Sequence, residues 1–438
     1  MLTWIGIVTI AMLLALILFR ITSVLVALTL VPIATALVGG FGTRIGDFAM
    51  DGIRGVTPTA ALLAFAVIYF GVMKDAGLFE PLIRTLLRIL HRDPVKISLG
   101  TAAIAAIAHL DGAGASTFMV TVPAMLPLYR RAGMSPLSLT CITALAAGTM
   151  NMLPWGGPTT RAATSLQAGM DDLFLPIIPA MLAGMVMVFV FAVRIGRLER
   201  ARLQRDPAGV VDDAVVAAGD RAASDGEETF PSLNTRWYFN LALTVVTLVV
   251  LFTGLVPLPL VFIVASAVAL LVNYPDAQEQ RERLTAHGAA AMMMVTTILA
   301  AGVFTGILTK SGMLGAMSSD LVRVLPEGVL RHLPVLVGAT SMPLSLAFDP
   351  DSFYFGLLPV LAHASQTAGG SAIEVGRAAV LGQMTTGFPV SPLTPATFLL
   401  VGLANVDLAD HQRRTIPYAF AVTIVMTLAA LATRAIGL

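Results

Sequence analysis

Apolar runs of about 17–25 residues recur along nearly the whole chain, each long enough to cross the hydrocarbon core of a bilayer as a helix. Backbone polar groups at that depth must find partners inside the protein, which makes helices the natural form for runs of this length. Ten spanning helices are expected, over residues 2–19, 21–41, 58–73, 137–170, 173–194, 237–254, 257–274, 289–309, 375–405 and 415–436. Composition agrees where it matters: only 12% of residues are charged, against about 25% in a soluble protein, too few to cover a water-facing surface. The first run lacks a basic leader and a small-residue cleavage site, so it reads as a retained helix. The single cysteine, Cys141, excludes an internal disulfide and a thiolate metal cluster.

Two of the runs, 137–170 and 375–405, are too long for one crossing and are interrupted by proline and glycine. Two further apolar stretches, 96–129 and 334–367, also break in the middle and fit re-entrant hairpins. Such breaks are tolerated at membrane depth only where protein or a polar cavity satisfies the backbone. Lysine and arginine placement sets the orientation. With the N-terminus outside, the cytoplasmic side receives Arg20, Lys74, Arg84, Arg88, Arg92, Lys96, Arg130 and Arg131. It also receives seven arginines from Arg194 to Arg236, then Arg281, Arg283, Arg413 and Arg414, in all nineteen of the 27 basic residues. Residues 195–236 mix those arginines with Asp206, Asp212, Asp213, Asp220, Asp225, Glu227 and Glu228, and read as a flexible cytoplasmic linker.

The two sides of that linker are alike. GVMKDAG at 71–77 returns as GILTKSG at 306–312; Ser116 with Pro123 returns as Ser352 with Pro359; the break at Pro154 returns at Pro389, all at offsets of 235 or 236. Each half holds five spans, an odd number, so the second must be inverted relative to the first, the architecture of secondary transporters with a midplane site. The expected fold is therefore an all-α polytopic membrane protein of two inverted repeats, residues 1–194 and 237–438. Each repeat comprises scaffold helices (1–73, 237–309), an arm (74–95, 310–333), a hairpin (96–129, 334–367) and a broken helix (137–170, 375–405). The arms contain amphipathic stretches, 78–92 and 313–332, suited to the interface.

Four breaks should meet near the centre: HLDGAGAST (109–117), NMLPWGGPTTR (151–161), AFDPDSF (347–353) and TTGFPVSPLTPAT (385–397). A broken helix exposes unpaired N–H groups at its new N-terminus, a ready anion site. Ser116, Thr159, Ser352 and Thr394 stand where those N-termini would begin, and Gly112, Gly114, Gly156 and Gly157 would let a ligand approach the backbone. Asp111, Asp349 and Asp351 sit at the hairpin tips in apolar surroundings, where an ionisable group is a functional candidate by default. They would hold a cation or exchange protons, and His109 is a further candidate proton relay. Arg161 could fork onto a carboxylate or pair with a protein carbonyl. Asn151, Thr385 and Thr386 offer polar contacts just before the breaks, and the methionines at 292–294 read as packing.

At HLDGAGASTFMVTVPAMLPLY, MNMLPWGGPTTRAA and FDPDSFYFGLLPVL the chain resembles the citrate–metal:proton symporter family (CitMHS) of the ion transporter superfamily, and the resemblance extends over nearly all of the chain outside the linker. It implies uptake of citrate complexed to a divalent cation, Mg²⁺ or Ca²⁺, together with protons. It further implies a homodimer in the inner membrane whose transport domain moves as an elevator. On this sequence the substrate site would fall on Asp111 to Thr117, Asn151 to Thr159, Asp351 to Ser352 and Thr385 to Thr397, the last including Ser391, Thr394 and Thr397. Complexation suits the physics: free citrate is close to trivalent, and burying three charges is costly, whereas an Mg²⁺ complex carries one. The partners expected are the complex, protons and membrane lipid; no resident cofactor, catalytic residue or nucleic acid is expected. A sodium-coupled di- or tricarboxylate carrier of the same fold is the second reading. An intramembrane enzyme is disfavoured because no HExxH, GxSxG or P-loop pattern occurs.

Overall fold

The structure is a computed structural model that describes residues 1–19, 21–89, 93–205, 234–253 and 255–437. Among the described residues it is helical throughout, without a strand. The first half runs α1 (Leu2–Leu18), α2 (Val24–Val38), α3 (Arg44–Asp75), α4 (Glu80–Ile89), α5 (Pro94–Ala108), α6 (Gly114–Arg131), α7 (Pro136–Met150), α8 (Gly157–Leu166), α9 (Met170–Phe174) and α10 (Ile178–Arg205). The second runs α11 (Thr235–Thr253), α12 (Leu258–Asn273), α13 (Ala277–Lys310), α14 (Met313–Val324), α15 (Glu327–Arg331), α16 (Leu333–Leu344), a π-helical turn (Ser352–Leu357) continuing into α17 (Leu358–Thr367), α18 (Ala372–Val380), α19 (Pro395–Ala404) and α20 (Leu408–Ala432). Four helical stretches are long and apolar enough to cross a membrane by length and composition: Arg44–Asp75, Met170–Arg205, Ala277–Lys310 and Leu408–Ala432. The remaining spans are shorter apolar helices, or helices interrupted at the breaks.

Several boundaries differ from the sequence reading. Helix α3 begins at Arg44 rather than at residue 58, and α13 at Ala277 rather than at 289. Asp47, Asp51 and Arg54, and likewise Glu279 to Arg283, lower the local hydropathy without interrupting the helix. The linker expected at 195–236 starts late, because α10 continues to Arg205 and buries Glu199. Residues 206–233, Arg20 and residues 90–92 of the first arm lie outside the described residues.

Helices α3 and α13 form the long central crossing. Asp51 pairs with Lys310 at one end (3.5 Å) and Asp75 with Arg283 at the other (3.2 Å), so the two run antiparallel. Between these pairs Gly52 faces Gly302 and Gly306 with no side chain intervening: a Cβ on Gly52 would lie 2.0 Å from the Gly302 carbonyl oxygen. Small residues spaced four apart let helix backbones approach where lipid offers no hydrophobic drive to associate. Helix α2 packs on α13 as α12 packs on α3, so the halves exchange partners across this crossing.

The hairpin arms and broken helices pack against α10 and α20. Asp93 accepts the Val95 N–H (2.9 Å), capping α5 where the first hairpin begins. The Arg200 guanidinium beside it, a hydrogen-bonding partner, holds the Asp93 carboxyl below the usual carboxylate range. Buried Glu199 accepts from Ser138 Oγ, from Arg202 Nε (3.0 Å) and from the Ser135 N–H (3.3 Å), with Arg414 at 3.5 Å. A buried carboxylate needs such partners, and these tie α7, α10 and α20 together at their ends.

Candidate functional site

The four breaks meet. Trp155 Nε1, in the first broken helix, donates to the Leu110 carbonyl at the first hairpin tip (2.8 Å). Asn151 Nδ2 donates across the halves to the Met384 carbonyl in the second break (2.7 Å). Gln383, beside it, donates to the Phe348 carbonyl at the second hairpin tip (3.4 Å), and Tyr354 of that hairpin donates to the Gln383 carbonyl (2.9 Å). Arg161 Nε closes the ring onto Asp351 Oδ1 (2.7 Å). Phe388 stacks with His109 and with Phe118, binding the second break to the first hairpin.

These contacts enclose a cavity of about 460 Å³, within the ~300–1,000 Å³ range of small-molecule sites. Gly112, Gly114, Asn151, Gly157, Arg161, Asp351 and Thr394 line it, as the sequence reading expected, along with Thr160, Met384 and Phe388. Three helix N-termini open onto it, at Gly114, Gly157 and Pro395, and none has a side-chain cap. Pro158 and Pro395 supply no N–H and the Thr397 N–H bonds the Thr394 carbonyl (3.1 Å), so the donors toward the cavity are the other first-turn N–H groups, to which the helix dipoles add partial positive charge. Thr394 Oγ1 makes no hydrogen bond among the described residues. The Arg161 guanidinium uses Nε on Asp351 and Nη1 on the Gly157 carbonyl (3.3 Å), leaving Nη2 without a described partner. The opposite wall belongs to α13, with Met293, Met294, Thr297 and Ile298. Two of the methionines expected to be packing therefore face the cavity.

Other expected site residues turn elsewhere. Ser116 Oγ donates to Asp111, and both face a smaller cavity of about 80 Å³ shared with Lys74 and Glu80 of the first arm. Thr159 Oγ1 donates to the Met152 carbonyl (2.7 Å), and its neighbour Thr160 takes the cavity position. Ser352 Oγ donates to Asp349, whose carboxylate also accepts the N–H groups of Asp351 (3.0 Å) and Ser352 (3.1 Å). Asp349 thus holds the turn at the tip of the second hairpin, as Asp111, accepting the Ala113 N–H (2.9 Å), holds the turn at the tip of the first. Thr385, Thr386, Ser391 and Thr397 are buried and bonded to the Val380 carbonyl, Thr423 Oγ1, the Ser345 carbonyl and the Phe388 carbonyl. Gly156 is spatially required, since a Cβ there would lie 2.0 Å from the Asn151 carbonyl oxygen.

His109 is fully buried, with Nδ1 2.8 Å from Thr117 Oγ1 and Nε2 3.3 Å from Asn151 Oδ1. Since Asn151 uses its amide N–H on Met384, its oxygen accepts from His109 Nε2; the Thr117 hydroxyl can then donate to Nδ1 or to the Ala113 carbonyl (3.0 Å). His411, which the sequence reading did not single out, is also buried, between Thr140 Oγ1 (3.0 Å) and the Pro389 carbonyl (2.9 Å). Among the described residues no three His, Cys, Asp or Glu side chains converge to hold a metal ion.

Comparison with known proteins settles the family. The family model described as CitMHS, citrate transporter, matches residues 1–382. The chain belongs to the CitMHS family. A citrate transporter of Bacillus subtilis (strain 168) is 44% identical over 409 residues, covering 93% of each chain. The Mg(2+)/citrate complex secondary transporter of the same organism is 39% identical over 441 residues, covering all of both. Among solved structures, the Alcanivorax borkumensis YdaH transporter matches with a TM-score of 0.59 at 14% identity over 98% of this chain and 97% of its own. MtrF of Neisseria gonorrhoeae matches at 0.54 and 13%, over 90% and 85%. At those identities the likeness concerns the fold alone. This CitMHS member is a multi-pass membrane transporter and not an enzyme.

The geometry of the first break gives a direct test. Gly156→Ala must displace the Asn151 carbonyl and with it the Asn151–Met384 bond, at a cost of about 1–3 kcal/mol for an overpacked site. The expected result is purified protein with a Tm lowered by several degrees and transport reduced at least tenfold. Unchanged transport would show that the break tolerates a side chain there.

Proposed function

We propose that this chain imports citrate as its complex with a divalent metal, Mg²⁺ or Ca²⁺, in symport with protons across the cell's inner membrane. The observation that carries the reading is the central cavity, where three helix N-termini without a side-chain cap converge with the unoccupied Nη2 of Arg161. Such a site suits an anion that brings its own metal: citrate supplies the oxygen ligands, and the cavity receives a complex of low net charge. The 39%-identical relative named for the Mg²⁺/citrate complex supports the same substrate.

The two halves, 1–194 and 237–438, are inverted repeats in this reading. Matching element order on either side of residues 195–236, and the exchanged packing of α2 and α12 on α13 and α3, support it. Hairpins and broken helices form the transport domain, and it moves past the α3–α13 scaffold as an elevator within a homodimer bathed by lipid. The N-terminus faces outward and the basic loops face the cytoplasm.

The deciding experiment is uptake of radiolabelled citrate into proteoliposomes under an imposed proton gradient, with Mg²⁺, Ca²⁺ or excess chelator. Metal-dependent uptake that collapses with the proton gradient is expected, with chelator lowering the rate at least tenfold. Uptake that ignores the chelator and requires Na⁺ would replace this reading with that of a sodium-coupled di- or tricarboxylate carrier.

A further inference from the structure

Among the described residues the two charged side chains that line the central cavity are bonded to each other, Arg161 from α8 in the first half and Asp351 from the hairpin tip in the second (2.7 Å). Both are largely shielded, with side chains 21% and 16% exposed. The pair is neutral as it stands, so an arriving anion meets a guanidinium already occupied on its Nε edge. A substrate carboxylate that takes the Nε–Nη2 edge of Arg161 through two parallel bonds displaces Asp351 from it. Asp351 would then be left as an unpaired carboxylate beside a second anion, the arrangement most disfavoured in a dry site.

We propose that Asp351 is the proton acceptor of the transport cycle and that coupling works by exchange of partners on Arg161. A carboxylate of the citrate complex replaces Asp351 on the guanidinium, and the displaced Asp351 takes one proton from water and becomes a neutral acid. The reverse exchange on the far side returns the proton and expels the substrate, because the re-formed Asp351–Arg161 pair competes with it. The proposal rests on the substrate class given above and assigns the coupling to one residue.

Among the described residues, Asp349 is the other carboxylate beside Asp351, and the elements packed against it add no free acidic or histidine side chain to the cavity. Helix α1 carries no charged residue, α8 offers Arg161, and α13 presents Met293, Met294, Thr297 and Ile298 to the cavity. In α17, His363 lies against Gly315 of α14 (3.6 Å from a Cβ built there) rather than in the cavity. Asp349, two residues away, is held by the Asp351 and Ser352 N–H groups. His109 has both ring nitrogens on protein partners and does not line the cavity, and Asp111 faces the separate space beside Lys74 and Glu80.

Magnesium citrate titrated into purified, weakly buffered protein, with a pH-indicating dye and a parallel calorimetric titration, tests this. The wild type should take up roughly one proton per complex bound, and above neutrality its Kd should rise by up to about tenfold per pH unit. Asp351→Asn should bind without proton uptake and with a Kd that does not change over that range, while Asp351→Glu should restore uptake. Wild-type binding with no proton uptake, or uptake in Asp351→Asn equal to wild type, would overturn the exchange while leaving the substrate reading intact. Absence of any binding by the wild type would instead refute the substrate reading and this proposal with it. The wild-type arm needs no variant, so a misfolded Asp351→Asn does not blunt the test.

Discussion

Replacing Arg161 by alanine should abolish measurable citrate transport and weaken binding of magnesium citrate by a factor between roughly thirty and several thousand. The estimate follows from the cost of truncating one member of a buried, hydrogen-bonded charge pair, about 2–5 kcal/mol at tenfold per 1.4 kcal/mol. Arg161 is the one cationic side chain lining the cavity among the described residues, and its Nη2 edge is free. The alanine variant also orphans Asp351, so a fall in affinity by itself would not distinguish lost recognition from a distorted hairpin. Two companion variants do. Arg161→Lys keeps the charge but cannot form two parallel bonds, and should bind with intermediate affinity. Arg161→Ala combined with Asp351→Asn removes both charges, and should regain most of the wild-type Tm while still failing to bind. If the double variant bound magnesium citrate with near-wild-type affinity, Arg161 would be a structural partner of Asp351 and no ligand anchor.

The convergence of the breaks was legible in the sequence because proline, glycine and aspartate inside apolar runs have few meanings at membrane depth. Asn151, Gly157, Arg161, Asp351 and Thr394 were found by that route and do line one cavity. The directions of the hydroxyls were not legible. On a helix one residue is a 100° turn, which is why Thr160 and not Thr159 faces the cavity although both follow the same break. Ser116 and Ser352 looked like free caps because their acceptors, Asp111 and Asp349, are also residues of the tips, and only the turn geometry shows that each serine donates to its own aspartate. Met293 and Met294 carried no signal, since an apolar side chain facing lipid and one facing a cavity read alike. The extents of α3 and α13 were missed for a related reason. Hydropathy reports where the lipid ends, and these helices continue beyond it to reach ion-pair partners on each other.

That crossing carries the second large effect. Gly52→Leu should prevent formation of a monodisperse, thermally stable protein, and Gly306→Val should do nearly the same. A Cβ on Gly52 would lie 2.0 Å from the Gly302 carbonyl oxygen and 2.8 Å from Gly306 Cα; one on Gly306 would lie 2.4 Å from the Phe48 carbonyl oxygen. All three obstacles are backbone, so no rotamer change relieves them and the helices must move apart. Overpacking usually costs about 1–3 kcal/mol where side chains can yield, and here the whole interface has to open. Separation would also stretch the Asp51–Lys310 and Asp75–Arg283 pairs that set the register at either end. Glycines of the same helices outside the contact provide the control. A Cβ on Gly46 or Gly288 would have nothing within 4 Å, so Gly46→Ala and Gly288→Ala should be neutral or stabilising by about 0.5–1 kcal/mol through helix propensity. Size-exclusion profiles and thermal melts of the four variants in one detergent would decide. A Gly52→Leu protein with wild-type Tm and elution would mean that α3 and α13 do not meet backbone to backbone, and the scaffold wall facing the cavity would have to be drawn differently.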